Sequence, residues 1–168
     1  MLRIAITGPE SSGKTTLCTA LSQHFNTSFI PEYARSYLEE TEGEYKQSDL
    51  DCIAQGQLKH LTSCENKISI CDTDFSVLEI WSQYKYNHVS EVILELVAKD
   101  LFDLHILCCP DIPWEEDPLR ENPNSRLQLF ELYKESLHRY DKNFIVVTDG
   151  PKNRIEKSLQ AIEELIKV

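Results

Sequence analysis

The run Leu2-Arg-Ile-Ala-Ile6 leads through Thr7 into Gly8-Pro-Glu-Ser-Ser-Gly13-Lys14-Thr15, which fits G-x-x-x-x-G-K-[ST] at every position. An apolar, β-branched run predicts a strand, and the amphipathic pattern that starts at Lys14 predicts a helix. Between them, Gly8 and Gly13 allow the backbone conformations that wrap N–H groups around a polyphosphate. The N-terminus of the helix adds partial positive charge at the same place. Gly8, Glu10, Ser11, Ser12, Gly13, Lys14, Thr15 and Thr16 are therefore the predicted nucleotide-binding loop. Lys14 is placed to reach the β- and γ-phosphates, and the Thr15 hydroxyl to take a Mg²⁺ coordination position. A plain turn that merely holds glycines is the competing explanation, and placement between strand and helix argues against it. The stretch implies a bound nucleoside triphosphate.

Outward from this loop, strand-like and helix-like segments alternate. Ser28–Ile30, Ile68–Cys71, Leu104–Cys109 and Phe144–Val147 read as further strands. The helix after Lys14 carries Leu17, Ala20, Leu21 and Phe25. Ser48 to Asp51 reads as a capping box for a helix with Leu50, Ile53, Ala54, Leu58 and Leu61 on one face. Val77, Leu78, Trp81 and Tyr84 mark another, and Val92 to Val97 a short one. Ser125 to Gln128 reads as a second capping box, opening a helix through Tyr140 with Leu127, Phe130, Tyr133 and Leu137 inward. Asn153 and Glu156 are expected to cap a last helix that buries Ile155, Leu159, Ile162 and Ile166. Leu38 to Gln47 is polar and reads as a mobile connection. Residues 110–126 are proline-rich and charged, a composition that reads as a lid after the fourth strand. The expected fold is α/β: a P-loop nucleoside triphosphate hydrolase fold, with a five-stranded parallel sheet covered by helices on both faces.

Composition narrows the function. The 168 residues suffice for one domain, expected to span 1–168. A formal net charge of −11 argues against a partner that is nucleic acid or anionic membrane. No long apolar run is present and Met1 leads straight into the first strand, so no leader or membrane span is expected. The six cysteines form no C-x-x-C pair, and Cys71, Cys108 and Cys109 lie in strand-like runs as small hydrophobes. A reducing cytoplasm is the simplest setting.

In a parallel sheet with right-handed crossovers, the loops that follow the strands gather along one edge. That edge collects the glycine-rich loop, Glu32-Tyr33-Ala34-Arg35, Asp72-Thr73-Asp74, the lid and Gly150 to Arg154. Phosphoryl transfer needs charge neutralisation, a metal, and a base or orienter for the acceptor. Asp72 is placed to hold Mg²⁺ with Thr15, and as a helix N-cap it has a purely structural alternative. Glu32 is the first choice for base, with an ion pair to Arg35 as its alternative; Asp74 competes for the base or for ribose hydroxyls. Arg120 and Arg126 are candidate catalytic lid cations, against the alternative of solvated surface charge. Tyr33, Phe75 and Trp81 offer aromatic faces, Tyr33 being the better platform, since a tryptophan such as Trp81 is more often a core residue. Trp114, in a polar loop, is expected to close on a ligand.

Four segments together resemble a known family: Gly8 to Leu17, Pro31-Glu-Tyr-Ala-Arg35, Asp72-Thr-Asp74 leading to Trp81, and Pro113-Trp-Glu-Glu-Asp-Pro-Leu-Arg120. They resemble the ribosylnicotinamide kinase domain of the NadR type, a P-loop family, over nearly the whole chain and in the same order. The resemblance implies ATP- and Mg²⁺-dependent phosphorylation of the 5′-hydroxyl of nicotinamide riboside, giving nicotinamide mononucleotide for NAD synthesis. It also implies Lys14 and Thr15 on ATP·Mg²⁺, Tyr33 against the nicotinamide ring, and Glu32, Asp72 and Asp74 around ribose and metal. Arg35, Trp81, Trp114 and Asp117 join the expected acceptor contacts, and Lys152 and Arg154 would border the adenine. The lid departs from the pattern with Asp117-Pro118 where a glycine is expected. No adenylyltransferase or DNA-binding region is expected in this chain.

Two other functions compete. A GTPase would need N-K-x-D after the fourth strand, where Cys108-Cys-Pro-Asp111 stands instead. A regulatory ATPase without a small-molecule acceptor stays open, as does a kinase for another nucleoside-like molecule. Homo-oligomerisation stays open as well. The acidic acceptor side (Glu32, Asp72, Asp74) favours an uncharged or cationic acceptor over a phosphorylated one.

Overall fold

The computed structural model describes residues 1–99 and 101–167 of the chain. In order, the elements are β1 (Leu2–Thr7), α1 (Lys14–His24), β2 (Phe29–Ile30), α2 (Tyr33–Glu40), α3 (Gln47–Thr62), β3 (Ile68–Asp72), α4 (Ser76–Tyr86), α5 (Glu91–Ala98), β4 (Leu104–Cys108), α6 (Arg126–Arg139), β5 (Phe144–Val147) and α7 (Pro151–Ile166). The strands form one sheet in the order β2-β3-β1-β4-β5, all neighbours parallel. This is the P-loop α/β fold.

Alternation along the strands divides the core between the two faces of the sheet. Ile4, Ile6, Ile70, Leu104 and Ile106 pack beneath α1 and α7 with Leu17, Leu21 and Ile162. Ala5 and Cys71 point the other way, into a cluster with Leu50, Ile53, Leu78 and Ile93 from α3, α4 and α5. Leu107 joins Ile80, Phe130, Tyr133 and Leu137 between α4 and α6. Each fully buried aliphatic side chain of this kind contributes about 1.5–3 kcal/mol. The buried thiols behave as apolar groups: desolvation pushes Cys71 and Cys108 up to about 12, so they stay protonated.

Several expectations are corrected by the structure. The segment expected to be a connection from Leu38 is helical through Glu40, because Ala34 and Leu38 give it a narrow buried stripe. Helix α3 starts at Gln47, and it is Asp49 rather than Ser48 that caps it, its carboxylate accepting the Lys46 N–H at 2.9 Å. Asp51 instead accepts a hydrogen bond from Ser90. Ser125 does stand at the N-cap of α6, but its hydroxyl does not cap; it accepts from Tyr84 Oη at 3.2 Å. Leu127 is 70% exposed, and Leu129 takes the inward position instead. Gly150 and Pro151, not Asn153, begin α7, proline being suited to the first helical turn. At its far end Ile166, expected inward, is 52% exposed. Strand β4 ends at Cys108, leaving half-buried Cys109 in the turn that follows.

Candidate functional site

Parallel strands bring the ends of β1, β3 and β4 together, and the glycine-rich loop rises from the middle of them. Gly8 has φ +134°, and a Cβ there would lie 2.7 Å from the Cys108 carbonyl oxygen of the neighbouring strand. No other residue fits that approach without moving β4. Gly13 then caps α1, and the Lys14 ammonium lies across the loop, donating to the carbonyls of Gly8 and Pro9, both at 3.0 Å. From behind, Arg154 braces the loop. This guanidinium is 4% exposed and donates to the Ser12 carbonyl at 2.6 Å, the Cys109 carbonyl at 2.8 Å and the Asp111 carboxylate. Arg154 was expected at the adenine and instead holds the phosphate loop in place; Lys152 is 89% exposed beside Glu156.

The end of β3 supplies the acids. Thr15 Oγ1 donates to Asp72 Oδ2 at 2.6 Å. Asp72 Oδ1 is buried and has no hydrogen-bond partner among the described residues. An orphaned carboxylate oxygen beside a loop hydroxyl fits a divalent cation or its water shell. Helix α4 is capped at Phe75, so Asp72 is not an N-cap. Thr73 has φ +82°, a conformation that a β-branched residue adopts only under strain. The kink separates its neighbours: Asp72 faces the loop, while Asp74 turns inward. There Asp74 accepts from Thr7 Oγ1 at 2.8 Å and Ser76 Oγ at 2.6 Å and lies 3.4 Å from His105 Nε2. Asp74 is a buried junction and does not line the cleft.

That cleft has a volume of about 660 Å³ and runs from Gly8–Thr16 past Glu32 and Arg35 to Tyr45, Trp81 and Lys85. Glu32 lies two residues past the end of β2 and stands at the N-cap of α2. Burial pushes its carboxyl above the usual range, with the Lys14 charge pulling in the opposite direction. Arg35 does not pair with Glu32. It binds Asp117 at 2.9 Å and Glu39 at 3.3 Å. Tyr33 turns away from the cleft: its ring packs edge-on against His60 at 5.1 Å and against α3 at Gly56. A Cβ at Gly56 would be 2.1 Å from that ring, which accounts for a glycine in mid-helix. Trp81 does face the cleft, its Nε1 donating to Tyr45 Oη at 2.9 Å.

The lid is folded down over this space. Asp117 and Pro118 replace the expected glycine with a different turn: the Leu119 N–H donates to the Asp117 carboxylate and the Arg120 N–H to its carbonyl, both at 3.0 Å. Proline suits the second position of such a turn. The Leu119 N–H, and next the Arg35 guanidinium, hold the Asp117 carboxyl below its usual range. Arg126 donates to the carbonyls of Ser11 and Ile112, both at 3.0 Å, and Arg120 lines the cleft beside them. Trp114 stacks loosely under both arginines, 5.8 and 5.7 Å from their centres, and does not line the cleft. Sequence reasoning missed Tyr45, Lys85 and Glu121. Glu121 joins the other two, accepting from Tyr45 Oη at 3.1 Å and pairing with Lys85 at 3.1 Å. No spacing rule connects these three.

This site sits on a recognisable frame. Residues 3–154 match the AAA domain family, and the chain belongs to it. The trifunctional NAD biosynthesis/regulator protein NadR of Escherichia coli (strain K12) is 30% identical over 173 residues, covering 97% of this chain and 42% of that protein. NadR of Salmonella typhimurium matches equally, so the chain spans less than half the length of these curated relatives. A NadR protein solved in complex with NR superposes with a TM-score of 0.82 at 23% identity, over 97% of this chain and 50% of that one. Deoxyadenosine kinase from M. mycoides, with a TM-score of 0.61 at 18% identity over 97% and 100%, shares the fold. Among the described residues, no helix is long and apolar enough to cross a membrane.

Proposed function

We propose that this chain is an ATP- and Mg²⁺-dependent kinase that phosphorylates the 5′-hydroxyl of nicotinamide riboside, giving nicotinamide mononucleotide. The observation that carries the reading is the charge on the wall facing the phosphate loop. Arg35 and Lys85 are both occupied by the lid carboxylates Asp117 and Glu121, so neither cation is left to receive a phosphorylated acceptor. What faces the acceptor is Glu32 with Tyr45 and Trp81, a setting for a neutral sugar and a flat, cationic ring. The relatives named NadR, one of them solved with NR, support the same acceptor.

In this reading the Glu32 carboxylate takes the proton of the 5′-hydroxyl as its oxygen attacks the γ-phosphorus. The bond from γ-phosphorus to the bridging oxygen breaks, and ADP leaves. A carboxyl already raised by burial accepts that proton more readily than a solvated one. Lys14 and the loop N–H groups hold the phosphates, and Arg120 neutralises charge from the lid side. Thr15 and Asp72 would hold Mg²⁺, which when bound supplies further charge neutralisation on the phosphates. Six free thiols and the absence of disulfides among the described residues fit a cytoplasmic setting.

The test is ADP release with ATP·Mg²⁺ and a panel of acceptors: nicotinamide riboside, common nucleosides, and water alone. The expected signal appears with nicotinamide riboside only. Equal release with water alone overturns the reading in favour of a regulatory ATPase.

A further inference from the structure

Glu10 occupies a position of the phosphate loop that the motif leaves free, and the structure gives its side chain a task outside the loop. Its carboxylate accepts the Glu121 N–H through both oxygens at 3.2 Å and the Asn122 N–H at 3.0 Å. Both donors are lid backbone. Beside it, Ser11 has φ +50° and its hydroxyl accepts the Glu115 N–H at 3.0 Å, a second tie to the same lid. The far side of Glu121 is held as well, its carboxylate by Lys85 and Tyr45. One lid residue thus spans the cleft, with its backbone on the phosphate loop and its side chain on the acceptor wall. Arg120 is its immediate neighbour.

We propose that Glu10 is a positioning residue that latches the lid and thereby sets Arg120 over the reaction centre. Hydrogen bonds to a carboxylate are stronger than neutral ones. Their location adds a directional effect. A bare carboxylate next to a triphosphate is repelled by it, whereas one capped by two N–H groups is partly neutralised. A loaded phosphate loop therefore favours the lid in the down position. Lid closure in turn keeps water from the γ-phosphate, so that the acceptor hydroxyl is the nucleophile.

The experiment compares the full chain with Glu10→Ala and Glu10→Gln in two measurements. The first is amide hydrogen exchange without nucleotide. Glu10→Ala accelerates exchange at Glu121 and Asn122 by about tenfold or more, the scale of losing a hydrogen bond to a charged group. Glu10→Gln, which keeps one carbonyl acceptor, falls between, and amides of β1 and α3 do not change. Unaltered exchange at Glu121 and Asn122 overturns the latch. The second is the ratio of ADP released with water alone to that released with nicotinamide riboside. This ratio rises about tenfold in Glu10→Ala and is partly restored in Glu10→Gln; an unchanged ratio overturns the positioning role. Only this second measurement rests on the kinase reading. If wild-type protein shows no acceptor-dependent release, that reading fails, and exchange alone decides the latch. Should Glu10→Ala lose its helical circular dichroism, Glu10→Gln carries both measurements.

Discussion

Residues 8–15 build the phosphate loop from one uninterrupted stretch, braced from behind by a single buried arginine. The wall across the cleft is assembled from Glu32 and Arg35, Tyr45, Trp81 and Lys85, and the lid at 110–126, which meet only in three dimensions. The loop is rigid by exclusion: Gly8 is pressed against β4, and Arg154 ties Ser12 to the turn after β4. The wall is held by ion pairs at the surface, with Arg35 53% and Lys85 38% exposed in their side chains. Binding a polyphosphate demands fixed N–H groups before the ligand arrives. Admitting and enclosing an acceptor demands contacts weak enough to break.

If that division is right, changes at the reacting centre act on rate, and changes in the supports act on stability. The largest expected effect is Glu32→Gln, which lowers acceptor-dependent turnover by about 10²–10⁴-fold if Glu32 is the base. Wild-type turnover rises with pH as Glu32 ionises, through a midpoint above the usual carboxylate range, and the variant lacks that limb. Stability moves the other way. A folded-state carboxyl raised above its unfolded value contributes stability below the unfolded pKa and loses it as pH rises through the folded one. Glu32→Gln therefore melts slightly higher than wild type at neutral pH and equally in acid, which a thermal melt at two pH values checks. Lys14→Ala comes next, with a loss of about 10²–10³ in turnover. Among the described residues its ammonium hydrogen-bonds carbonyls of its own loop, so its unfolding free energy changes by no more than about 1 kcal/mol.

The contrast also explains what the sequence made legible. Gly8 to Thr15 is readable because its chemistry is local: spacing along the chain is spacing in space. The strand order and the gathering of Glu32, Asp72 and the lid on one edge follow from alternation and crossover handedness, which are equally general. Tyr33, Asp74 and Arg154 went elsewhere for reasons that depend on particular neighbours. Tyr33 found a glycine on α3, Asp74 was turned inward by the kink at Thr73, and Arg154 found the carbonyls of Ser12 and Cys109. Gly56, Ser12 and Cys109 stand far from Tyr33 and Arg154 in the sequence, and the kink at Thr73, though adjacent to Asp74, leaves no mark in the pattern of residues. Tyr45, Lys85 and Glu121 were invisible for the same reason, as three ordinary polar residues until the fold joins them.

Two arginines sharpen the comparison, since each bridges a loop to an acid but from opposite sides of the cleft. Arg154→Met removes a buried cation and leaves the Ser12 and Cys109 carbonyls and the Asp111 carboxylate short of a partner. Breaking such an arrangement costs about 3 kcal/mol. Denaturant unfolding detects that as a lower midpoint, and the loosened loop raises the KM for ATP more than that for the acceptor. Arg35→Met breaks an ion pair that is half in water, so the unfolding free energy shifts by less than about 1 kcal/mol. Its effect belongs to the acceptor side: Asp117 loses one of the groups that hold it ionised, the lid turn keeps its Leu119 N–H, and the KM for the acceptor rises while that for ATP stays. Equal destabilisation by the two substitutions would mean that the lid is as much a part of the folded core as the phosphate loop. The cleft would then have no side that opens.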